Sequence, residues 1–208
     1  LIEDYIMDNP EVILKSLEEM RKRERLQEQE GAKKNLIALE DEIMRNPTDP
    51  VGGNIDGDIT IVEFFDYRCG YCKQFFTALN AVLNEDDNLR IVFKELPVLG
   101  PSSDLAATAA IAASRQNLYI PFHNRMMSLK GRFDEKQLFD IAKEVGLDLT
   151  RLRTDMDLRG VQGMLDDTKA LANKLSISGT PAIIVGSKIV RGAISKDRLK
   201  AMIAAARE

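Results

Sequence analysis

Ile59-Thr60-Ile61-Val62-Glu63-Phe64-Phe65-Asp66-Tyr67-Arg68-Cys69-Gly70-Tyr71-Cys72-Lys73-Gln74-Phe75-Phe76 decides how the rest of the chain is read. Its first seven residues are β-branched and aromatic, follow a Gly/Asp-rich turn, and suit a strand buried on both faces. Glu63 is the anomaly in that run. After Tyr67 the period changes: Phe75, Phe76, Leu79, Val82 and Leu83 recur at helical spacing, so a Cys-x-x-Cys opens a helix directly after a buried strand.

Working outward, Arg90–Leu96 reads as a second strand, which gives strand, helix, strand with room for a right-handed crossover. Residues 101–176 carry a series of helical patterns, at 104–115, 121–129, 134–145, 148–155 and 158–175. Ala182–Val185, a Gly186-Ser187 turn and Lys188–Val190 then form a hairpin, and Ser195 caps a last helix through Leu199, Met202 and Ile203. The expected class is α/β, a sheet sandwiched by helices with a helical insertion.

The chain is bipartite in charge. Residues 1–47 hold eight Lys/Arg and twelve Asp/Glu and so carry the whole net charge of −4, while residues 48–208 are neutral and hold both cysteines. Asn46-Pro47-Thr48-Asp49-Pro50, with two prolines in four residues, marks the boundary. In the extension, Asn9-Pro10-Glu11 reads as a helix start with Asn9 as N-cap. Ile13, Leu17 and Met20 form one apolar stripe, and Leu36, Leu39 and Ile43 form a second that points a quarter-turn or more away. Gly31, between them, is the weakest point of a continuous helix, and a hinge is expected there. The first stripe is expected to self-associate, because a 47-residue segment with so few large apolar groups lacks a core of its own.

Composition excludes several classes. With 44% hydrophobic and 30% charged residues the chain is neither disordered nor fibrous, and its apolar runs are too short to span a bilayer. A charge of −4 gives no basic field for nucleic acid. No signal-peptide pattern precedes Leu1 and the chain does not begin with Met, which reads as a processed or truncated product.

Cys69 and Cys72 are the only cysteines. A closed zinc site needs four ligands, and two thiols plus the single histidine, His123, do not supply them, so no metal site is expected. Haem attachment needs His after the second cysteine, where Lys73 stands. A structural disulfide across so short a loop would remove little entropy from the unfolded chain. A redox dithiol remains. Cys69, at the helix start, is the expected nucleophilic thiolate, since free amides and the macrodipole favour an anion there. Cys72, one turn inside, would resolve the mixed disulfide, and a buried Glu63 would exchange a proton with it. Linear two-thiolate Cu(I) binding is the alternative of another class. His123 reads as an ordinary structural or surface residue, Met126, Met127, Met156 and Met164 as core, and Arg68 and Lys73 either as aids to the thiolate or as solvated side chains.

Phe64–Cys72, Gly179-Thr180-Pro181 and the position of Glu63 resemble the thioredoxin-fold thiol-disulfide oxidoreductases of the DsbA-like group, over about residues 48–208. The resemblance implies a thioredoxin fold with an inserted helical subdomain at about 101–176 and an N-terminal helical extension, and no cofactor beyond the redox-active Cys69–Cys72 disulfide. It implies that Pro181 is cis beside the cysteines and that Gly70, Tyr71, Thr180 and Pro181 bind substrate. Gly70-Tyr71 and the Thr before the proline are more similar to the isomerase branch than to the oxidase branch, which favours isomerase or reductase, with a DsbA-like dithiol oxidase as the alternative. The extension plus this domain resembles the suppressor-of-copper-sensitivity proteins. That implies a periplasmic location, misfolded or oxidised protein substrates, a membrane thiol reductase as partner, and a homo-oligomer, for example a trimer, built through residues 1–47.

Overall fold

The structure is a computed structural model that describes residues 2–208. Five strands, β1 (Val51–Gly53), β2 (Ile59–Phe65), β3 (Leu89–Glu95), β4 (Ala182–Val185) and β5 (Lys188–Arg191), form one sheet in the order β1-β3-β2-β4-β5. β2 and β3 are parallel and joined by α4 (Gly70–Leu83), while β1, β4 and β5 pair antiparallel to their neighbours. The two-residue β4–β5 turn needs a left-handed residue, and Gly186 supplies φ 56°. β1 has no signal in the sequence: Val-Gly-Gly has little strand propensity and is held by pairing Val51 with Val92 and Gly52 with Ile91.

Period-2 alternation sends the two faces of the central strands into different cores. Ile61, Phe65, Ile91, Phe93, Ile183 and Val185 pack under α4 and α10 (Lys196–Arg207) and against the inserted helices. The insertion comprises α5 (Pro101–Ser114), α6 (Tyr119–Met127), α7 (Glu135–Glu144), α8 (Leu149–Met156) and α9 (Arg159–Lys174), each within a few residues of its expected pattern. On the opposite face, Val62, Phe64, Val92 and Ile184 meet Leu171, Leu175 and, from the extension, Leu36 and Ile43. Met126 and Met127 are core residues.

The extension consists of α1 (Ile2–Asp8), α2 (Glu11–Ala38) and α3 (Glu40–Met44). Its two stripes have different fates. Leu36 and Ile43 are buried and Leu39 is half-buried, whereas Ile13, Leu17 and Met20 are 43%, 40% and 48% exposed. Lys94, buried on this face, pairs with Asp49 and donates to the Glu42 carbonyl (2.8 Å), and Arg90 donates to the Met44 carbonyl (2.7 Å), so 42–49 is fastened to β3. No break occurs at Gly31. The helix runs through it because the cost of one glycine, about 1 kcal/mol, is small beside a run of Glu, Gln, Lys and Arg. The break falls at Leu39 (φ −111°, ψ 20°), which re-aims Ile43 into the core. Asn9 is not the N-cap either: its amide and side chain both bond the Tyr5 carbonyl (3.0 and 2.9 Å), closing α1, and Pro10 precedes α2 without a side-chain cap.

Candidate active site

The dithiol sits where the topology concentrates free amides. β2 ends at Phe65, Asp66–Arg68 turn the chain, and Cys69 occupies the N-cap of α4 in an extended conformation (φ −74°, ψ 113°). The Cys72 amide donates to Cys69 Sγ at 3.3 Å, an N-cap bond with sulfur in place of the usual oxygen. Because Ala182 pairs antiparallel with Phe64, the residues just before β4 are carried alongside the end of β2. Thr180-Pro181, a cis peptide, therefore lies beside Cys69, whose thiol donates to the Thr180 carbonyl at 3.3 Å.

The two thiols are unpaired and chemically distinct. Cys69 is 6% exposed and brought down to about 6, first by the Cys72 thiol that donates to it, then by the Thr180 side chain and the Cys72 and Tyr71 amides, against the opposing effect of burial. Cys72 is fully enclosed. Its thiol is pushed far up, first by burial, then by donating to Cys69 and by the nearby Glu63 carboxylate. Glu63 is itself 0% exposed, neither of its oxygens has a protein partner, and burial together with the Cys69 thiolate holds its carboxyl well above the usual range. One thiolate at the helix N-terminus, one withheld thiol and one buried acid whose carboxyl is held above the usual range thus share a site. Gly70 leaves open space in the first turn of α4, and Tyr71 is 69% exposed.

Arg68 and Lys73 are committed elsewhere. Arg68 donates to the Leu99 carbonyl, and Lys73 to those of Leu129 (2.6 Å) and Met126 (3.4 Å). The sequence reading missed Asp66. Its buried carboxylate accepts from the amides of Arg68 (2.7 Å), Val98 (2.9 Å) and Leu99 (3.1 Å) and from the Ser103 hydroxyl (2.8 Å). The active-site turn is thereby tied to the β3–α5 loop, whose Val98 and Leu99 are exposed. His123 is not a surface residue: it is fully buried beneath the site, its ring 4.4 Å from Phe93 and 4.9 Å from Phe65, with Nδ1 3.1 Å from the Tyr67 hydroxyl. Among the described residues no three His, Cys, Asp or Glu side chains are grouped so as to hold a metal ion, and no helix is long and apolar enough to cross a membrane.

Residues 60–204 match the family model of the DSBA-like thioredoxin domain. The chain belongs to that family. Its members are thiol-disulfide oxidoreductases. The fold is similar to a thioredoxin-like oxidoreductase from Silicibacter pomeroyi DSS-3, at 40% identity and TM-score 0.78 over 80% of this chain and 96% of that one. It is also similar to a linker-deleted, point-mutated ScsC from Proteus mirabilis, at 25% identity and TM-score 0.80 over 100% of this chain and 92% of that one. Disulfide bond formation protein D of Bacillus subtilis is 25% identical over 166 residues, 74% of this chain and 75% of that protein. A protein named Na(+)/H(+) antiporter NhaA 1, from Salinispora arenicola, is 31% identical over 167 residues, 77% of this chain and 26% of that protein, so this DSBA-like chain spans about a quarter of the length of that relative.

Proposed function

We propose that this DSBA-like protein is a protein disulfide isomerase and reductase that works from the dithiol state. The observation that carries the reading is the division of labour between the thiols: Cys69 is a thiolate at neutral pH, while Cys72 keeps its proton beneath it. Cys69 Sγ attacks one sulfur of a substrate disulfide, forming a mixed disulfide and expelling the other sulfur as a thiolate. In isomerisation, a substrate thiolate then attacks the mixed disulfide, a new substrate disulfide forms, and Cys69 leaves as the thiolate it was at the start. In reduction, Cys72 gives its proton to ionised Glu63 and attacks Cys69 Sγ. The Cys69–Cys72 disulfide forms and the substrate leaves as a second thiolate, so two electrons pass to substrate.

Gly70 leaves the approach to Cys69 open, Tyr71 with Val98 and Leu99 offers exposed apolar surface beside it, and Thr180 and Pro181 form the wall on which an extended substrate would lie. The exposed Ile13, Leu17 and Met20 stripe, on an extension with few large apolar groups of its own, supports a homo-oligomer, for example a trimer, joined through residues 1–47. Several Cys69 sites would then share one misfolded chain at raised effective concentration. The proposed location is periplasmic, with a membrane thiol reductase restoring the dithiol. Complete burial of Cys72 counts against Cu(I) ligation as the main role, because a ligand must reach the ion as a thiolate.

Refolding of scrambled ribonuclease, compared with oxidative refolding of the reduced form, tests the activity. Recovery from the scrambled state is expected; activity on reduced ribonuclease alone would make the protein a dithiol oxidase instead. Light scattering of the full chain beside a chain lacking residues 1–31 tests the assembly, with equal subunit numbers refuting it.

A further inference from the structure

Residues 48–208 show few large apolar side chains to solvent, and those few are not spread evenly. Among the described residues of this part they are Ile55, Tyr71, Val98, Leu99 and Leu158. Tyr71 stands between the two cysteines, and Val98 (45% exposed) and Leu99 (44%) form the tip of the β3–α5 loop. β2 and β3 are parallel and end together, the Leu96 amide donating to the Phe65 carbonyl at 2.9 Å, so this loop leaves the sheet beside the turn that carries Cys69. A single exposed leucine means little, whereas two adjacent apolar residues and an exposed tyrosine around a reactive thiol make a recognition surface.

The loop is exposed but not loose. Its sequence, Leu96-Pro97-Val98-Leu99-Gly100-Pro101, brackets the tip with two prolines, whose φ is fixed, and Gly100 takes the positive φ (97°) that leads into α5. The tip is bound to the active-site turn at three points. The Val98 and Leu99 amides donate to the Asp66 carboxylate (2.9 and 3.1 Å), and the Leu99 carbonyl accepts from Arg68, the residue before Cys69. These bonds hold the backbone and leave the two side chains facing solvent. An apolar surface that is fixed beforehand loses little conformational entropy when a ligand covers it.

We propose that Val98 and Leu99 form a specificity ridge for the exchange at Cys69, selecting substrate segments with a large apolar side chain two residues from the reacting cysteine, and that Arg68 is the positioning residue that holds the ridge. The inference rests on the reading that Cys69 attacks substrate disulfides. In the sheet order β3-β2-β4 the dithiol is flanked by Thr180-Pro181 on the β4 side and by this ridge on the β3 side, and the two flanking strands are about 10 Å apart. An extended segment lying across them turns every second side chain to the same surface, at intervals of about 7 Å. With its cysteine at Cys69, the side chain two places along therefore reaches the ridge. Large apolar neighbours of a cysteine are interior residues in a folded protein, so the ridge favours chains that have misfolded or not yet folded.

The test uses the reduced full-length protein and short peptides with one cysteine, held as its mixed disulfide with 2-nitro-5-thiobenzoate, and with leucine or serine two places before or after it. Cys69 Sγ bonds the peptide sulfur, the original S–S bond breaks, and nitrothiobenzoate leaves as a coloured thiolate, so stopped-flow absorbance gives the rate constant. Dividing each constant by that of the same peptide with glutathione removes its intrinsic reactivity. On at least one side of the cysteine, leucine is expected to be preferred over serine by about tenfold, the effect of covering roughly half of such a side chain. In Val98→Ser/Leu99→Ser, both at exposed positions, the preference should fall to about twofold or less. Arg68→Ala should lower it in part, and Arg68→Lys, which keeps a donor for the Leu99 carbonyl, should retain more of it. Because the preference is a ratio, a general disturbance of the dithiol cancels from it. A leucine preference that persists in the double variant, or equal constants for the leucine and serine peptides in the wild type, would overturn the ridge while leaving the reading of Cys69 in place. The wild-type preference in both Arg68 variants would overturn the positioning role. Wild-type protein that reacts with neither peptide would refute Cys69 as the attacking thiolate, and this inference with it.

Discussion

Removing the Cys72 sulfur should raise the pKa of Cys69 in a way that replacing it with oxygen does not. The Cys72 thiol is the foremost group holding Cys69 at about 6, and the amides of Cys72 and Tyr71 stay in place whatever side chain stands at 72. A hydrogen bond to a charged acceptor contributes about 1.5–3 kcal/mol, or about one to two pH units. Cys72→Ala should therefore titrate between about 7 and 8, and Cys72→Ser, which keeps a donor, near the native value. Cys69 is the sole thiol in both variants, so thiolate absorbance against pH reads it without ambiguity. The rate of alkylation by iodoacetamide gives an independent measure. At neutral pH the thiolate fraction should fall from about nine-tenths in Cys72→Ser to about a quarter in Cys72→Ala, taking the middle of that range. Coincident curves for the two variants would show that the helix N-terminus alone sets the acidity of Cys69 and that the thiol–thiol bond is incidental.

Other measurements bear on the same structure. Because the folded-state value of Cys69 lies below that of an ordinary thiol, the stability its thiolate lends the reduced protein is fully present above about 8.5 and lost as pH falls through about 6. In urea unfolding, the stability of the reduced protein relative to the oxidised one should thus rise between about pH 6 and 8.5, and a constant difference would refute this. Leu36→Ala should lower stability by about 2–5 kcal/mol, whereas Leu17→Ala, truncating a residue 40% exposed, should cost under about 1 kcal/mol in the isolated chain; comparable losses would mean the first stripe is covered. Asp66→Ala leaves three amides and a hydroxyl without their acceptor and should cost about 3 kcal/mol or more, with faster proteolysis of the Val98–Leu99 loop; unchanged cleavage would refute the tie between turn and loop.

The sequence disclosed what repeats or punctuates. Period-2 and period-3.6 patterns placed β2, β3, the hairpin and the inserted helices, and the Cys-x-x-Cys at a change of period placed the nucleophile. An acid inside an apolar strand marked Glu63, and the same signal was present at Glu95, the last residue of a strand otherwise led by Ile91, Val92 and Phe93. It went unread because a charge at a strand end is ordinarily solvated. His123 and Tyr119 carry no such signal: their burial follows from where α6 docks, a tertiary fact that no local pattern encodes. β1 was hidden for a related reason, since Val51-Gly52-Gly53 is a strand only because β3 offers it an edge.

An unbroken α2 is a lever as well as a helix. From Leu17, in the first stripe, to Ala32, where α2 first becomes buried against the domain, the helix rises by about 22 Å. A partner bound to that stripe would stand off from the catalytic domain by about two-thirds of the diameter of a small domain. Gly31 sits near the foot of this lever with open space where a Cβ would go. Gly31→Ala would stiffen the arm without a clash, and Gly31→Pro would kink or break it, so one residue sets how straight the arm between the stripe and the domain can be.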